Sequence, residues 1–267
     1  MENNGFKVSV LASGSSGNSL YVETGQKRIL VDAGLSGKKI TGLLEQIGRK
    51  PDDLDAILVT HEHRDHIHGV GVLARKYKLD VYANEKTWQA MDPLIGDVSF
   101  EQKNIFNMGQ VMTLGDIDIE SFGVSHDAAD PQFYQFHKDN KSFVVLTDTG
   151  YCSDRVRGII KNADGYLMES NHDLAMLRMG KYPWSTKQRI LSDKGHLSNE
   201  DGASVAIDVI GNKTKRIYLG HLSKENNLKE IAHMTMTDTL IKNDVDTFTQ
   251  VKIMDTDPEK ACSLFAI

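Results

Sequence analysis

The chain has 267 residues, of which 40% are hydrophobic and 25% charged, with a formal net charge of −6. That composition supports a substantial buried core, and no low-complexity tract, Pro/Gly/Ser-rich linker or long repeat interrupts it, so residues 1–267 read as a single domain. The acidic balance argues against a broad basic face that coats nucleic acid, but not against an enzyme that grips one strand end locally.

Phe6–Leu11 alternates with period two and predicts a strand. Ser19–Glu23 and Arg28–Asp32 follow as strands, joined by the turn Thr24–Lys27. Ser36 is placed to cap a helix whose apolar residues Ile40, Leu43, Leu44 and Ile47 have helical spacing. Ala56–Val59 is a short buried strand that runs directly into His61. A helix is expected over Val70–Lys78, and strands over Asp80–Ala83, Gln110–Leu114, Ile117–Val124, Gln132–His137 and Ser142–Thr147. The second half mixes strands at Gly165–Met168, Ile217–Leu219 and Phe248–Met254 with helices at Asn199–Ile210 and Asn226–Ile241. Two β-rich halves with interleaved helices predict an α+β fold layered as an αββα four-layer sandwich, two mixed sheets covered by helices on both outer faces.

Cys152 and Cys262 form no close metal-ligand pair, and two cysteines among ten methionines suit a reducing cytosol. The first residues carry no long apolar region of a signal peptide, and no run of about 18 apolar residues offers a membrane span. A cytoplasmic location is expected.

The densest chemical signal is Thr60–Gly69, THEHRDHIHG. A loop leaving a buried strand can aim His61 and His63 at one point and turn Asp65 and His66 toward a second. Imidazole and carboxylate are the donors that hold borderline divalent metals. Two metals need more donors than one motif supplies. Apolar runs ending at His126, Asp148 and His221 each carry one candidate.

In order, Asp32, His61-x-His63-x-Asp65-His66, His126, Asp148 and His221 resemble the five motifs of the metallo-β-lactamase superfamily over nearly the whole chain. The resemblance implies the metallo-β-lactamase fold with a dinuclear centre at the edge of the two sheets. By it, His61, His63 and His126 would hold one metal, Asp65, His66 and His221 the other, and Asp148 would bridge them. Asp32 would orient the ligand loop by hydrogen bonds without binding metal. Two divalent ions, Zn²⁺ or Mn²⁺, about 3.5–4 Å apart, would share a hydroxide able to attack a phosphodiester.

The branches of that superfamily separate on a few residues. Lactam-hydrolysing members commonly carry cysteine where Asp148 stands, and Cys152 comes four residues too late. Little space is expected for the helical C-terminal domain that glyoxalase II-type thioesterases usually append, and none for the long inserted domain of the large β-CASP nucleases. GHLS occurs twice, at Gly195–Ser198 and Gly220–Ser223. His221 fits the final metal motif, which leaves His196 beside the start of a helix capped by Ser198, where amide groups favour an anion. That placement resembles ribonuclease Z and its small relatives, with Glu169 as the partner that fixes the His196 tautomer. The stretch Met168-Glu169-Ser170-Asn171 departs from the ribonuclease Z wording, and no tRNA-gripping arm is evident, so transfer RNA processing is set aside.

Together with the glycine-serine run Ala12–Ser19 and the TDTG and ESNHD stretches, the pattern is similar to the small bacterial nucleases of the YycJ/WalJ type. The resemblance implies a 5′→3′ exonuclease on DNA in preference to RNA. The reaction would rest on His196, Glu169 and Asp65, with His196 binding phosphate or assisting the leaving group. Asn18 and the basic residues Arg178, Lys181, Lys187 and Arg189, interleaved with Tyr182 and Trp184, are candidate substrate contacts. His68 and His172 match no ligand position, and His137 and His233 read as structural. Two rivals stay open: a small-molecule hydrolase on the same site (cyclic phosphodiesterase, lactonase or thioesterase), and a metal-stabilised binding module without activity.

Overall fold

The computed structural model describes residues 5–267. The chain opens with the strands β1 (Lys7–Ala12), β2 (Ser19–Glu23) and β3 (Arg28–Val31), followed by α1 (Gly37–Gln46) and β4 (Ala56–Leu58). A single helical turn, α2 (Arg64–Ile67), leads to α3 (Val70–Tyr77), β5 (Asp80–Ala83), α4 (Glu85–Ile95) and β6 (Lys103–Ile105). The strands β7 (Val111–Leu114), β8 (Ile117–Gly123), β9 (Gln132–Lys138) and β10 (Lys141–Leu146) come next. The remainder holds α5 (Asp154–Ile160), β11 (Gly165–Glu169), α6 (Leu174–Met179), α7 (Trp184–Ile190), α8 (Asn199–Val209), β12 (Arg216–Gly220), α9 (Lys229–Lys242), β13 (Lys252–Asp255) and β14 (Phe265–Ala266).

These strands form two seven-stranded sheets, ordered β14-β1-β2-β3-β4-β5-β6 and β13-β12-β11-β10-β9-β8-β7. Each sheet is mixed: β3 through β6 and β10 through β13 run parallel, and the other pairs antiparallel. Parallel neighbours need crossover connections, and the helices that supply them cover the outer faces. The period-two alternation does the sorting. Val8, Val10, Leu20, Val22, Ile29, Val31 and Leu58 pack between the sheets, while Leu11, Tyr21, Leu30, Ile57 and Val59 face Ile40, Leu44, Leu73 and Met91 of the covering helices. On the second sheet α5, α8 and α9 supply Ile160, Ala206 and Met236. This is the αββα sandwich expected from the sequence.

Three differences from the sequence reading are informative. The α4 helix was not legible as a helix, because Pro93 interrupts its interior. The strand expected over Phe248–Met254 starts only at Lys252, since Asp246 accepts from the Phe248 and Thr249 amides and turns the chain there. The basic segment after Asp173 forms two short helices, α6 and α7.

Candidate metal centre

The candidate ligands gather where strands end. Asp32 follows β3, His61 follows β4, Asp148 follows β10, Glu169 closes β11 and His221 follows β12. All of these lie at the carboxyl ends of parallel strands, where open α/β sheets place their ligand crevices. Asp32, Asp148 and His221 adopt left-handed backbone, with φ of 60°, 50° and 55°. Such a turn redirects the chain sharply off a strand, at a cost of about 1–3 kcal/mol per residue that the surroundings must hold. Gly34 permits the ligand loop to approach, since a Cβ there would lie 1.6 Å from the Asp65 carbonyl oxygen.

The first set is His61, His63 and His126, whose ligand atoms lie within 4.8 Å of one another. Hydrogen-bond partners assign their tautomers. His126 Nδ1 donates to the Gly195 carbonyl at 3.1 Å, and His63 Nε2 donates to the Asp127 carbonyl at 3.2 Å. Their other nitrogens, His126 Nε2 and His63 Nδ1, then face each other as lone pairs 3.3 Å apart. His61 is fully buried, with Nδ1 3.0 Å from the Thr60 hydroxyl and Nε2 without a hydrogen-bond partner among the described residues. Burial, reinforced by the neighbouring His66, holds His61 well below the usual imidazole range, so its nitrogen is free to ligate.

The second set is Asp65, His66 and His221, equally close. His66 Nδ1 lies 2.7 Å from Asp32 Oδ2, and Asp32 also accepts from the Thr60 amide and hydroxyl at 2.8 Å each. Asp32 thus fixes His66 and the strand end together, and His66 Nε2 is left facing Asp65 and Asp148 at 3.5 and 3.4 Å. His221 Nδ1 lies 3.1 Å from Glu169 Oε1, and its Nε2 is 3.4 Å from Asp65 Oδ2. Burial would push His221 down, but Asp148, Asp65 and Glu169 outweigh it and raise it to about 10.

Asp148 stands between the two sets. Its Oδ2 is 3.4 Å from His66 Nε2 and its Oδ1 3.9 Å from His126 Nε2. It is 2% exposed, yet Oδ2 has no hydrogen-bond partner among the described residues. Burial works against its charge, but His221 and His66 hold the carboxyl well below the usual range. A buried carboxylate oxygen and a buried imidazole nitrogen without partners, with lone pairs aimed at one another, are costly unless cations sit among them. The residues therefore fit divalent metals, with a nitrogen and oxygen donor set and no thiolate.

The two GHLS stretches part company here. His221 is buried at the end of β12, while His196 precedes α8 and retains 15% of its side-chain exposure. His196 Nδ1 lies 2.8 Å from Glu169 Oε1. Glu169 Oε2 accepts from the Thr149 and Leu197 amides at 3.0 and 3.1 Å. Burial opposes the Glu169 charge, but His196 and His221 overcome it and hold the carboxyl at about 2. With Nδ1 engaged, His196 turns its Nε2 edge away from Glu169. His196 lines a cavity of about 260 Å³ together with Asp65, Asp148, His221, Tyr182 and Arg189.

Of the expected substrate contacts, only Arg189 lies on this cavity, tied to Asp127 at 2.8 Å. Arg178 and Lys181 are exposed but do not line it. Lys187 corrects the sequence reading: it is buried, and its ammonium is taken up by the Arg178 and Gly180 carbonyls at 2.8 and 2.7 Å. Asn18 is a second correction. It is 6% exposed and turned inward, so its amide meets protein ligands and not the cavity. Sequence reasoning missed Thr60, whose hydroxyl contacts Asp32, His61 and His66. It also missed Asn171, which donates to the His221 carbonyl at 2.8 Å. Their only sequence signal was membership of the THEHRDH and ESNHD stretches. His68 is exposed, and His172 is buried with Nδ1 3.3 Å from Asn171 Oδ1.

Comparison with known proteins agrees with this geometry. Residues 27–222 match the family described as the Beta-lactamase superfamily domain, and the chain belongs to that superfamily, whose fold carries divalent-metal hydrolases. It is 67% identical over 265 residues to Exodeoxyribonuclease WalJ of Streptococcus pneumoniae, covering 98% of each chain. It is 57% identical over 255 residues to Exodeoxyribonuclease YycJ of Bacillus anthracis, covering 96% of this chain and 97% of the other. Among solved structures, the metallo-beta-lactamase fold protein YhfI from Bacillus subtilis superposes with a TM-score of 0.74 at 17% identity. That match covers 96% of this chain and 99% of the other, and at that identity it speaks for the fold alone.

Proposed function

We propose that the chain, acting as one domain, is a metal-dependent exodeoxyribonuclease that removes nucleotides from the 5′ end of DNA in the cytoplasm. The observation that carries this reading is its 67% and 57% identity, over nearly the full length, to two proteins named exodeoxyribonucleases. Among the described residues no helix is long and apolar enough to cross a membrane.

In this reading His61 Nε2, His63 Nδ1 and His126 Nε2 would hold one divalent cation and Asp65, His66 Nε2 and His221 Nε2 a second, with Asp148 available to both. Zinc or manganese bound there would lower the pKa of a water and neutralise charge developing on a phosphodiester. The protein does the rest. Asp32 and Glu169 fix the tautomers of His66 and His221. Glu169 also holds His196 Nδ1, so that Nε2 can donate to a phosphate oxygen or to the departing 3′ oxygen. Arg189 and Tyr182, on the cavity wall, supply a phosphate contact and a face for a terminal base.

The test uses metal-free protein restored with zinc or manganese, and end-labelled single- and double-stranded DNA and RNA with and without 5′ phosphate. Progressive release of nucleotides from the 5′ end of DNA is expected. Turnover of a small phosphodiester or thioester with no cleavage of any oligonucleotide would transfer the assignment to a small-molecule hydrolase.

A further inference from the structure

The glycine-serine run between β1 and β2 is not used by the reaction described above, yet it touches the candidate centre at several points. All of them fall on one ligand set. The Ser13 hydroxyl accepts from the His221 amide at 2.8 Å. The Asn18 side chain places Nδ2 3.3 Å from Asp65 Oδ2 and 3.1 Å from His66 Nε2. The Asn18 backbone N–H donates to the Asp65 carbonyl at 2.8 Å, and its carbonyl accepts from Gly34 at 2.9 Å. The orientation of the amide is fixed, because Asn18 Oδ1 accepts from the Gly14 N–H at 3.0 Å. His61, His63 and His126 take their supports elsewhere, from Thr60, Asp127 and Gly195.

We propose that Ser13–Asn18 is a clamp that positions the second ligand set, Asp65, His66 and His221, and leaves the first set untouched. The two metal positions would then differ in what holds them, although each has three protein donors of its own. The chemistry of the donors decides which contact matters. A carboxylate oxygen has two lone pairs, so Asp65 Oδ2 can accept from Asn18 and still present one to a cation; His66 Nε2 has a single lone pair. The lasting role of Asn18 is therefore to orient Asp65, the most exposed of the three ligands at 25% of its side chain. Asn18 is a positioning residue, not a catalytic one.

This inference rests on the two-cation reading, and the experiment separates the two. Zinc binding to metal-free protein is measured by competition with a chromophoric chelator, for the wild type, Asn18→Ala, Ser13→Ala, His221→Ala and the Asn18→Ala/His221→Ala pair. Wild type should bind two zinc ions. Asn18→Ala should bind the first as tightly as wild type, which also reports that it is folded, and the second about tenfold or more weakly. Ser13→Ala should show the same selectivity with a smaller loss. On the His221→Ala background, which keeps only the first set intact, adding Asn18→Ala should change nothing. A second site that is unchanged or tightened in Asn18→Ala, or equal weakening at both sites, overturns the clamp and leaves the two-cation reading standing. A single zinc in the wild type overturns that reading and the clamp with it.

Discussion

Two buried carboxylates, at opposite edges of the sandwich, show how differently one fold treats negative charge. Glu23 closes β2 at the edge away from the candidate centre, 6% exposed. Its Oε1 lies 3.2 Å from Lys7 Nζ and 2.7 Å from Arg49 Nη2, and its Oε2 accepts from the Tyr21 hydroxyl at 2.8 Å. Every oxygen is answered by the protein itself. Asp148 is buried still deeper, in left-handed backbone, with one oxygen unanswered and histidines around it. A charge that the protein compensates is a structural element. A charge held only by titratable histidines, with one oxygen lacking a hydrogen bond on a strained strand end, marks a place where a cation belongs.

The sharpest way to break this comparison is to neutralise each carboxylate in turn. Asp148→Asn should lower metal content and reduce DNA hydrolysis by about a thousandfold or more, with little loss of thermal stability. Glu23→Gln should do the reverse, costing about 1–3 kcal/mol of stability by leaving Lys7 and Arg49 poorly paired, at wild-type metal content and rate. Metal analysis, nuclease rate and thermal melts on both variants decide it. Equal effects on metal content would erase the contrast.

Next in size is His196→Ala, expected to lower the rate about a hundred- to thousandfold at unchanged metal stoichiometry. His221→Ala should lose one metal, so two histidines in identical GHLS contexts give opposite metal readouts. A His196 variant that cleaves at the wild-type rate removes it from the reaction.

A smaller effect separates Arg189 from Lys187. Arg189→Ala should weaken DNA binding and flatten the salt dependence of log Kd by about one unit. Lys187→Ala should leave the salt slope unchanged and lower the melting temperature, because its ammonium serves two carbonyls.

The smallest effect is on pH. Glu23 is held at about 2 against an ordinary 4.5, because Arg49, Tyr21 and Lys7 outweigh the burial that would raise it. A carboxyl depressed in the folded state stabilises above its unfolded value, and that contribution is lost as pH falls from 4.5 toward 2. Acid denaturation of Glu23→Gln should therefore lack this component and show a shallower loss of stability over that window.

Much of this was legible in the sequence, for physical reasons that differ by element. Strands such as Ser19–Glu23 and Asp80–Ala83 declared themselves because their alternate residues face two different cores. The candidate ligands were legible because His61, His63, Asp65 and His66 share one dense motif, His126, Asp148 and His221 each end an apolar run, and the family resemblance sorted them into two sets. The Glu169–His196 contact was anticipated from the resemblance to ribonuclease Z-like members, and the two side chains do meet. What stayed hidden depends on chain segments distant in sequence. Whether Lys187 meets DNA or a carbonyl is set by how α6 and α7 pack, and the direction of Asn18 is set by Asp65, 47 residues away. The proline inside α4 and the turn at Asp246 masked a helix and shortened a strand for local reasons that periodicity does not register.

The most direct test is anomalous X-ray scattering from crystals of the zinc-loaded protein. Two peaks per chain are expected, one within about 2.0–2.2 Å of His61 Nε2, His63 Nδ1 and His126 Nε2, the other equally close to His66 Nε2, His221 Nε2 and an Asp65 oxygen. A single peak, or zinc bound away from these atoms with Asp148 facing neither, would contradict the convergence of the two ligand sets on a shared metal centre.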